Sequence, residues 1–344
     1  NRDYEDHAFL GEEVPIKLSI KNNSILPILW LELHESLPVN LHAGRNVKQV
    51  FSMGVKETKS IDYTLNAFKR GYYDLGPMTI STGDPLGLIQ PAQAAFPKTD
   101  LVVYPQIVSL ETLGLPSQSP FGTLKHHNPI FEDPSSPMGK REYHSGDSTR
   151  RIDWKSSAAV GQLQVKLFEP SIALEVVMVL DLHRDSYHIK SFYNATELAV
   201  TAAASIAAWG KRNKQPIGLV TNGADPQQEN AVPRDILPNK GPGHFINILE
   251  TLAKVQPGEE IPPEKLIQDA MSGLGWGTTL VFISGGINQS LLGQLFRARR
   301  RGLNPVIILT AREPGMKDFQ GLAKFYKIPL YFATRTNDLK TMAK

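Results

Sequence analysis

The chain has 344 residues, 41% hydrophobic and 21% charged, which leaves room for two or three domains with their own cores and excludes a wholly disordered or collagen-like polymer. Thirty-seven Lys and Arg against 34 Asp and Glu give a formal charge of +3, too near balance for the whole surface to be matched to nucleic acid or an anionic membrane, so any basic patch is local. With no cysteine, disulfide frameworks, thiol catalysis, iron–sulfur clusters and cysteine-based zinc sites are excluded.

The opening residues from Asn1 lack the basic, apolar and small-residue order of a signal peptide, and the sequence reads as an excerpt of a longer protein. Residues 1–98 read as strands. Val14, Ile16, Leu18 and Ile20 alternate with Pro15, Lys17, Ser19 and Lys21, a period of two that sends one face to a core and the other to water. Pro15 suits an edge or a strand start. Leu29, Leu31 and Leu33, then Ile61, Tyr63 and Leu65, repeat the pattern, with Asn22-Asn23-Ser24 and Lys69-Arg70-Gly71 supplying turns. Several short strands with no helical period predict an antiparallel β-sandwich.

Residues 99–172 are predicted to connect two domains. Pro116 to Lys140, rich in Pro, Ser, Gly and Asn, reads as a long surface link. From 173 to 344 the grammar changes. Apolar runs at Val176 to Leu182, Ile217 to Thr221, Thr279 to Ser284, Val306 to Thr310 and Leu330 to Ala333 alternate with helical stretches at Asn194 to Trp209, His244 to Lys254, Gln289 to Arg300 and Asp318 to Tyr326. Continuous apolar strands between helices are covered on both faces, which predicts a doubly wound, parallel α/β domain. No stretch reaches the roughly 18 to 20 apolar residues of a bilayer span; the longest candidate, Leu198 to Gly210, reads as a buried helix.

The densest chemistry lies just before that domain. Arg141 to Lys155 packs Arg141, Arg150, Arg151 and Lys155 together with Glu142, Asp147 and Asp153, and adds Tyr143, His144 and Trp154. Gly146-Asp147 reads as a turn, with Asp147 capping a short helix over Ser148 to Ala158. Arg150 and Arg151 then lie three and four residues from Asp147, and Asp153 three from Arg150, so the charges satisfy one another. Ile152 and Trp154 are expected to turn toward a core. Two functional readings stand beside this structural network: the guanidiniums of Arg141, Arg150 and Arg151 grip a phosphate or a partner carboxylate, or Asp153-x-Lys155 is the metal and water-positioning element of a metal-dependent hydrolase or nuclease, with Asp181 and Asp185 as further carboxylates.

Arg141, Tyr143, Gly146, Asp147, Arg150, Ile152 and Trp154 match the R-x-Y-x-x-G-D-x-x-R-x-I-x-W signature of the prokaryotic family catalogued as domain of unknown function 58. Lys69-Arg70-Gly71, Leu75-Gly76-Pro77, Asp84-Pro85-Leu86-Gly87-Leu88 and Val103-Tyr104-Pro105 also resemble that family's run-in. The resemblance implies a membrane anchor upstream of this segment, a body facing the cytoplasm, and a C-terminal domain similar to a von Willebrand factor A domain. It also implies a non-enzymatic protein-interaction or scaffold role, with a MoxR-type AAA+ ATPase as partner in assembly or chaperone-like modulation; the near-balanced charge gives no expectation of a nucleic-acid partner.

Domains similar to von Willebrand factor A often hold a divalent ion such as Mg²⁺ through D-x-S-x-S after the first strand. Here that position reads Asp181-Leu182-His183-Arg184-Asp185. Asp181 is kept and both serines are replaced, which leaves Asp181, His183 and Asp185 as ligand candidates of a degenerate site and no cofactor as the expectation. Ser284-Gly285-Gly286 after a later strand lacks the aspartate often found there. Arg297, Arg299, Arg300 and Arg301 end a helix and complement its dipole, with an acidic partner surface as the second reading.

Overall fold

In the computed structural model, which describes residues 2–42, 47–83, 92–110, 132–144, 152–170, 175–229, 231–312 and 316–341, the period-two runs are strands. β1 (Arg2–Asp3) and β2 (His7–Phe9) precede β3 (Glu13–Lys21), whose Val14, Ile16 and Leu18 are buried while Glu13, Pro15 and Lys17 face water. β4 (Ile28–Glu35), the single-turn helix α1 (Val39–His42), β5 (Val47–Met53) and β6 (Thr58–Asn66) follow. Next come β7 (Gly71–Leu75), β8 (Met78–Thr82), β9 (Ala92–Phe96) and β10 (Thr99–Tyr104). Sheets in the orders β1-β3-β6, β5-β4-β8-β9 and β2-β10-β7 surround one core that includes Ile16, Leu18, Leu33, Leu65, Leu75 and Leu101. This β-rich region fits a β-sandwich. Pro15 pairs with Thr64 on β6 but lies beyond the last β1 pair, Asp3 with Lys17, which is where a residue without an N–H is tolerated.

The stretch expected as a surface link differs. Residues 111–131 lie outside the described set, but the remainder enters β11 (Glu132–Glu142), which pairs antiparallel with β12 (Gln164–Pro170). Register shifts between Glu132 and Gly139 carry the strand past Pro134 and Pro137, as irregular ladders do where a residue cannot donate. Between these strands lies α2 (Trp154–Val160).

Then follow β13 (Val176–Leu180), α3 (Phe192–Arg212), β14 (Ile217–Thr221), β15 (Ile236–Asn239), α4 (Pro242–Lys254) and α5 (Pro263–Ser272). The chain continues with β16 (Thr279–Ser284), α6 (Gln289–Arg300), β17 (Asn304–Leu309), α7 (Met316–Phe325) and β18 (Leu330–Phe332). These strands form one sheet in the order β15-β14-β13-β16-β17-β18, parallel except for β15. All of β13 is buried, because its alternate side chains serve two cores. Val176, Met178 and Leu180 join a cluster with Ala199, Ala203 and Leu249 of α3 and α4, while Val177 and Val179 join Leu266, Ile267 and Leu295 of α5 and α6. Two elements go beyond the sequence expectation: β15, an edge strand that tolerates Pro238, and α5, where Pro263 occupies a first-turn position compatible with helix. Among the described residues no helix is long and apolar enough to cross a membrane.

Arg70, expected only as part of a turn, joins the two halves. Its side chain is buried. Nη1 donates to the carbonyls of Leu252 (2.8 Å), Ala253 (3.4 Å) and Val255 (2.7 Å), and Nε to Glu197 Oε2 at 3.0 Å. The last carbonyls of a helix have no partner within it and carry the negative end of its dipole, so one cation from the β region closes α4 and pairs with α3. Lys254 over the Tyr72 ring and Lys69 over Tyr193 flank the same junction. Replacement by leucine would leave Glu197 and the carbonyls unanswered. Arg70→Leu is expected to lower stability by about 2–4 kcal/mol and to separate the unfolding of the two halves, read as a second transition in urea denaturation.

Candidate functional site

In an open α/β sheet, the crevice outside the carboxyl ends of the strands opens where the strand order reverses. Here that point lies between β13 and β16, which are neighbours in the sheet although β14 and β15 intervene in sequence. Asp181 follows β13 and is fully buried. A carboxylate taken out of water needs donors, and neighbouring strand ends supply them. Oδ1 accepts the N–H of His183 (2.9 Å) and Nδ2–H of Asn222 (2.8 Å), the residue after β14, and Oδ2 accepts the Ser284 hydroxyl from the end of β16 at 2.7 Å. Asn222 is held in that orientation because its own Oδ1 accepts the Leu182 N–H at 2.7 Å. The Tyr187 hydroxyl donates to the Asp181 carbonyl at 2.6 Å, and burial, followed by the nearby Asp181 charge, pushes its pKa well above the usual phenol value. A Cβ on Gly285 would lie 2.3 Å from the Tyr187 ring, so a residue with no side chain is needed where the tyrosine crosses the end of β16.

Beside this centre lies a cleft of about 970 Å³, lined among others by His183, Tyr187, Ile189, Phe192, Glu264 and Asn288. Ile189 is 86% exposed. Arg184 pairs with Glu259 at 2.7 Å on the exposed surface, and Asn288 caps α6 through the Leu291 N–H while donating to Glu264 at 3.0 Å.

The three ligand candidates do not converge. His183 turns its Nδ1 to the Asp185 N–H at 3.3 Å, and the Asp185 carboxylate, 93% exposed, stays 3.9 Å from that ring nitrogen. Asp181 is surrounded by hydrogen-bond donors. As oriented, the His183 amide and the Asn222 Nδ2 turn hydrogens toward that carboxylate, while the Asn222 Oδ1 accepts the Leu182 N–H. Among the described residues no group of three or more His, Asp or Glu could hold a metal ion.

Of the charged segment, residues 141–144 and 152–155 are described. Gly146, Asp147, Arg150 and Arg151 lie outside the described residues, and with them the expected cap at Asp147 and its ion pairs. The helix that is described begins at Trp154, and its cap is Asp153. Asp153 Oδ1 accepts the Ser156 N–H at 3.1 Å, and Oδ2 meets Lys140 Nζ at 3.0 Å. Ile152 is buried and bridges Val165 on β12, as expected, whereas Trp154 is 67% exposed instead of entering a core. The helix is anchored through Ser157, which donates to the Asp153 carbonyl and accepts the Gln164 N–H, and not through its tryptophan. On β11, Arg141 donates to the Glu142 carbonyl at 2.9 Å; the Tyr143 N–H bonds the Leu163 carbonyl. Asp153 and Asp181 share no hydrogen-bond partner among the described residues. The sequence reading named Asp181 and Ser284 but not Asn222 or Tyr187; a polar residue directly after a fully apolar strand is the signal that points to Asn222.

The fold and site thus define a β-rich region joined to a doubly wound α/β domain whose switch point holds a buried carboxylate beside an open cleft. The family described as "Protein of unknown function DUF58" matches residues 139–285. The Uncharacterized protein YeaD of Bacillus subtilis (strain 168) is 26% identical over 258 residues, 71% of this chain and 58% of that protein; the chain therefore spans little more than half the length of this relative. Among solved structures, the CARDB domain of the PF1109 protein from Pyrococcus furiosus, in complex with di-metal ions, covers 30% of this chain and 87% of its own at 16% identity and a TM-score of 0.22. A β-glucosidase from Listeria innocua covers 30% of this chain and 15% of its own at 14% identity and a TM-score of 0.19.

Two outcomes test the geometry. Asp181→Ala, which strands the Asn222 amide, the Ser284 hydroxyl and the His183 N–H, is expected to cost about 2–5 kcal/mol in urea unfolding, with Asp181→Asn costing less. At Asp153, the Lys140 contact first and the Ser156 N–H second lower the carboxyl pKa from 3.8 to about 2. The ionised form is thus favoured in the folded state, and its stabilisation is complete above the unfolded value and fades as pH falls toward about 2. The stability gap between wild type and Asp153→Asn is expected to be flat at neutral pH and to close across that acid window, read from thermal unfolding.

Proposed function

We propose that this chain is part of a member of the domain of unknown function 58 family and works as a non-enzymatic docking module. In this reading its C-terminal domain is similar to a von Willebrand factor A domain and its full-length form is anchored in a membrane with this part facing the cytoplasm. Its partner is a MoxR-type AAA+ ATPase, in assembly or chaperone-like modulation.

The observation that carries the reading is the cleft of about 970 Å³ at the sheet's switch point. Its wall includes Tyr187, whose hydroxyl is tied to the carbonyl of the buried Asp181, and its rim presents Ile189 and Arg184 to solvent. A wall tied to the fold beneath an exposed rim suits recognition of another surface. The aspartate after the first strand of a doubly wound sheet supports the likeness to von Willebrand factor A domains, and the match over residues 139–285 supports the family. Surface substitutions at the rim separate binding from folding. Ile189→Asp and Arg184→Glu are each expected to weaken capture of a purified MoxR-type ATPase from the source organism by roughly tenfold or more, with the unfolding temperature unchanged. Equal capture by the variants, or none by the wild type, would count against the proposal.

A further inference from the structure

The end of the β region farthest from the Arg70 junction carries an unusual surface. β3 and β6 run antiparallel with Glu13 opposite Asn66 and Lys21 opposite Thr58. The Asn66 end leads to Arg70, so the Lys21 end is remote from the α/β domain. Two loops meet there, residues 22–27 and residues 54–57. Ile25 is 81% exposed, Leu26 and Leu29 are 68% exposed each, and Val55 is 51% exposed.

These aliphatic side chains are held outward. Asn22, itself buried, donates its side-chain amide to the carbonyls of Leu26 and Gly54, both at 2.9 Å, and its N–H to the Glu57 carbonyl at 2.9 Å. Ser24 donates both its N–H and its hydroxyl to Asn22 Oδ1, and its own oxygen accepts the Leu26 N–H. The loop therefore cannot fold Ile25 and Leu26 back onto the sheet without losing several hydrogen bonds. The charge around them is mostly positive: Lys21 and Lys56 are exposed and Lys59 is half-buried, against one nearby carboxylate, Glu57, which accepts the Gly54 N–H.

We infer that this end is a membrane-contacting tip, in which Ile25, Leu26, Leu29 and Val55 enter the interface of an anionic bilayer while Lys21, Lys56 and Lys59 meet lipid headgroups. A side chain as exposed as Ile25 projects from the surface instead of lining a groove, and four such residues fall short of the roughly 800 Å² per partner that a stable protein interface buries. A bilayer interface needs no such complementary area. It accepts single aliphatic projections and rewards a lysine collar where the headgroups are anionic. β1 runs antiparallel to β3 with Arg2 opposite Leu18, so the first strand points its amino end the same way. The contact is carried by these loops and the strand ends that flank them, and its outcome is independent of ATPase capture at the cleft.

The test is co-sedimentation of the full 344-residue chain with phosphatidylcholine vesicles, with and without phosphatidylglycerol. Binding is expected with the anionic vesicles, to weaken as salt is raised, and to fall roughly tenfold or more both in Ile25→Ser/Leu26→Ser and in Lys21→Glu/Lys56→Glu. All four positions are on the surface, so the unfolding temperature is expected to hold. Leu26→Trp gives a second readout, a blue shift of its emission on vesicle addition relative to wild type. Lack of binding to anionic vesicles, binding that survives both double variants, or self-association without lipid that the same variants abolish would each overturn the inference.

Discussion

A carboxylate with no access to water has to be answered by hydrogen-bond donors, and at Asp181 that requirement organises the carboxyl edge of the α/β sheet. The donors are the backbone at His183, the Asn222 amide and the Ser284 hydroxyl, one from behind each of three adjacent parallel strands. Three loops that could each adopt many conformations are tied to one point. Asn222 takes a further tie from Leu182, and Tyr187 closes over the Asp181 carbonyl. Leaving such groups unpaired in a low-dielectric interior costs about 1–3 kcal/mol each, which offsets part of the entropy of ordering these loops. The neighbouring cleft, lined by His183 and Tyr187 of the same loop, is therefore held by these ties.

The same logic, with the sign of charge reversed, holds the two halves together. Arg70 is a cation buried at a junction, and its partners are the last carbonyls of one helix and a side-chain carboxylate on another in the other half. From Val255, where it bonds the carbonyl, the chain runs within three residues to Gly258. Gly258 donates its N–H to the Leu182 carbonyl and accepts the Arg184 N–H. Leu182 and Arg184 flank His183 in the loop that begins at Asp181. A continuous run of backbone bonds therefore links the arginine of the β region to the rim of the cleft.

How much of this could be read from the chain follows from where the information lies. Val14 to Ile20 and Ile217 to Thr221 declare themselves because burial on one face or on both is written in every residue of a strand. β15 and α5 are obscured by prolines, whose tolerance at an edge or in a first turn depends on what lies beside them. Asp153 and Trp154 mark the limit of local reasoning. An aspartate three residues before a serine is as good a cap as one placed earlier, and a tryptophan enters a core only if the helix is docked by that face, whereas α2 is docked through Ser157. Arg70 looked like a turn residue because its partners lie 127 to 185 residues away in sequence. Asp181 was legible as important from its place after the first strand, but its role as acceptor for an amide and a hydroxyl depended on which residues the strand order made its neighbours.

That separation of roles has a mechanical consequence for a two-part body. The cleft is built on strand ends beside the Arg70 junction, whereas the lysine-ringed loops lie at the other end of β3 and β6. Nine residues of β3 separate the two ends of that pair, about 30 Å at the usual rise per residue. Strands paired along their whole length resist bending in the sheet plane, and a buried arginine bonded to three carbonyls and a carboxylate resists rotation at the joint. The orientation of the loop end therefore fixes the direction in which the cleft faces. A body held at the first surface presents the second at a set distance and angle, and this follows from two buried charges and one run of strand pairing.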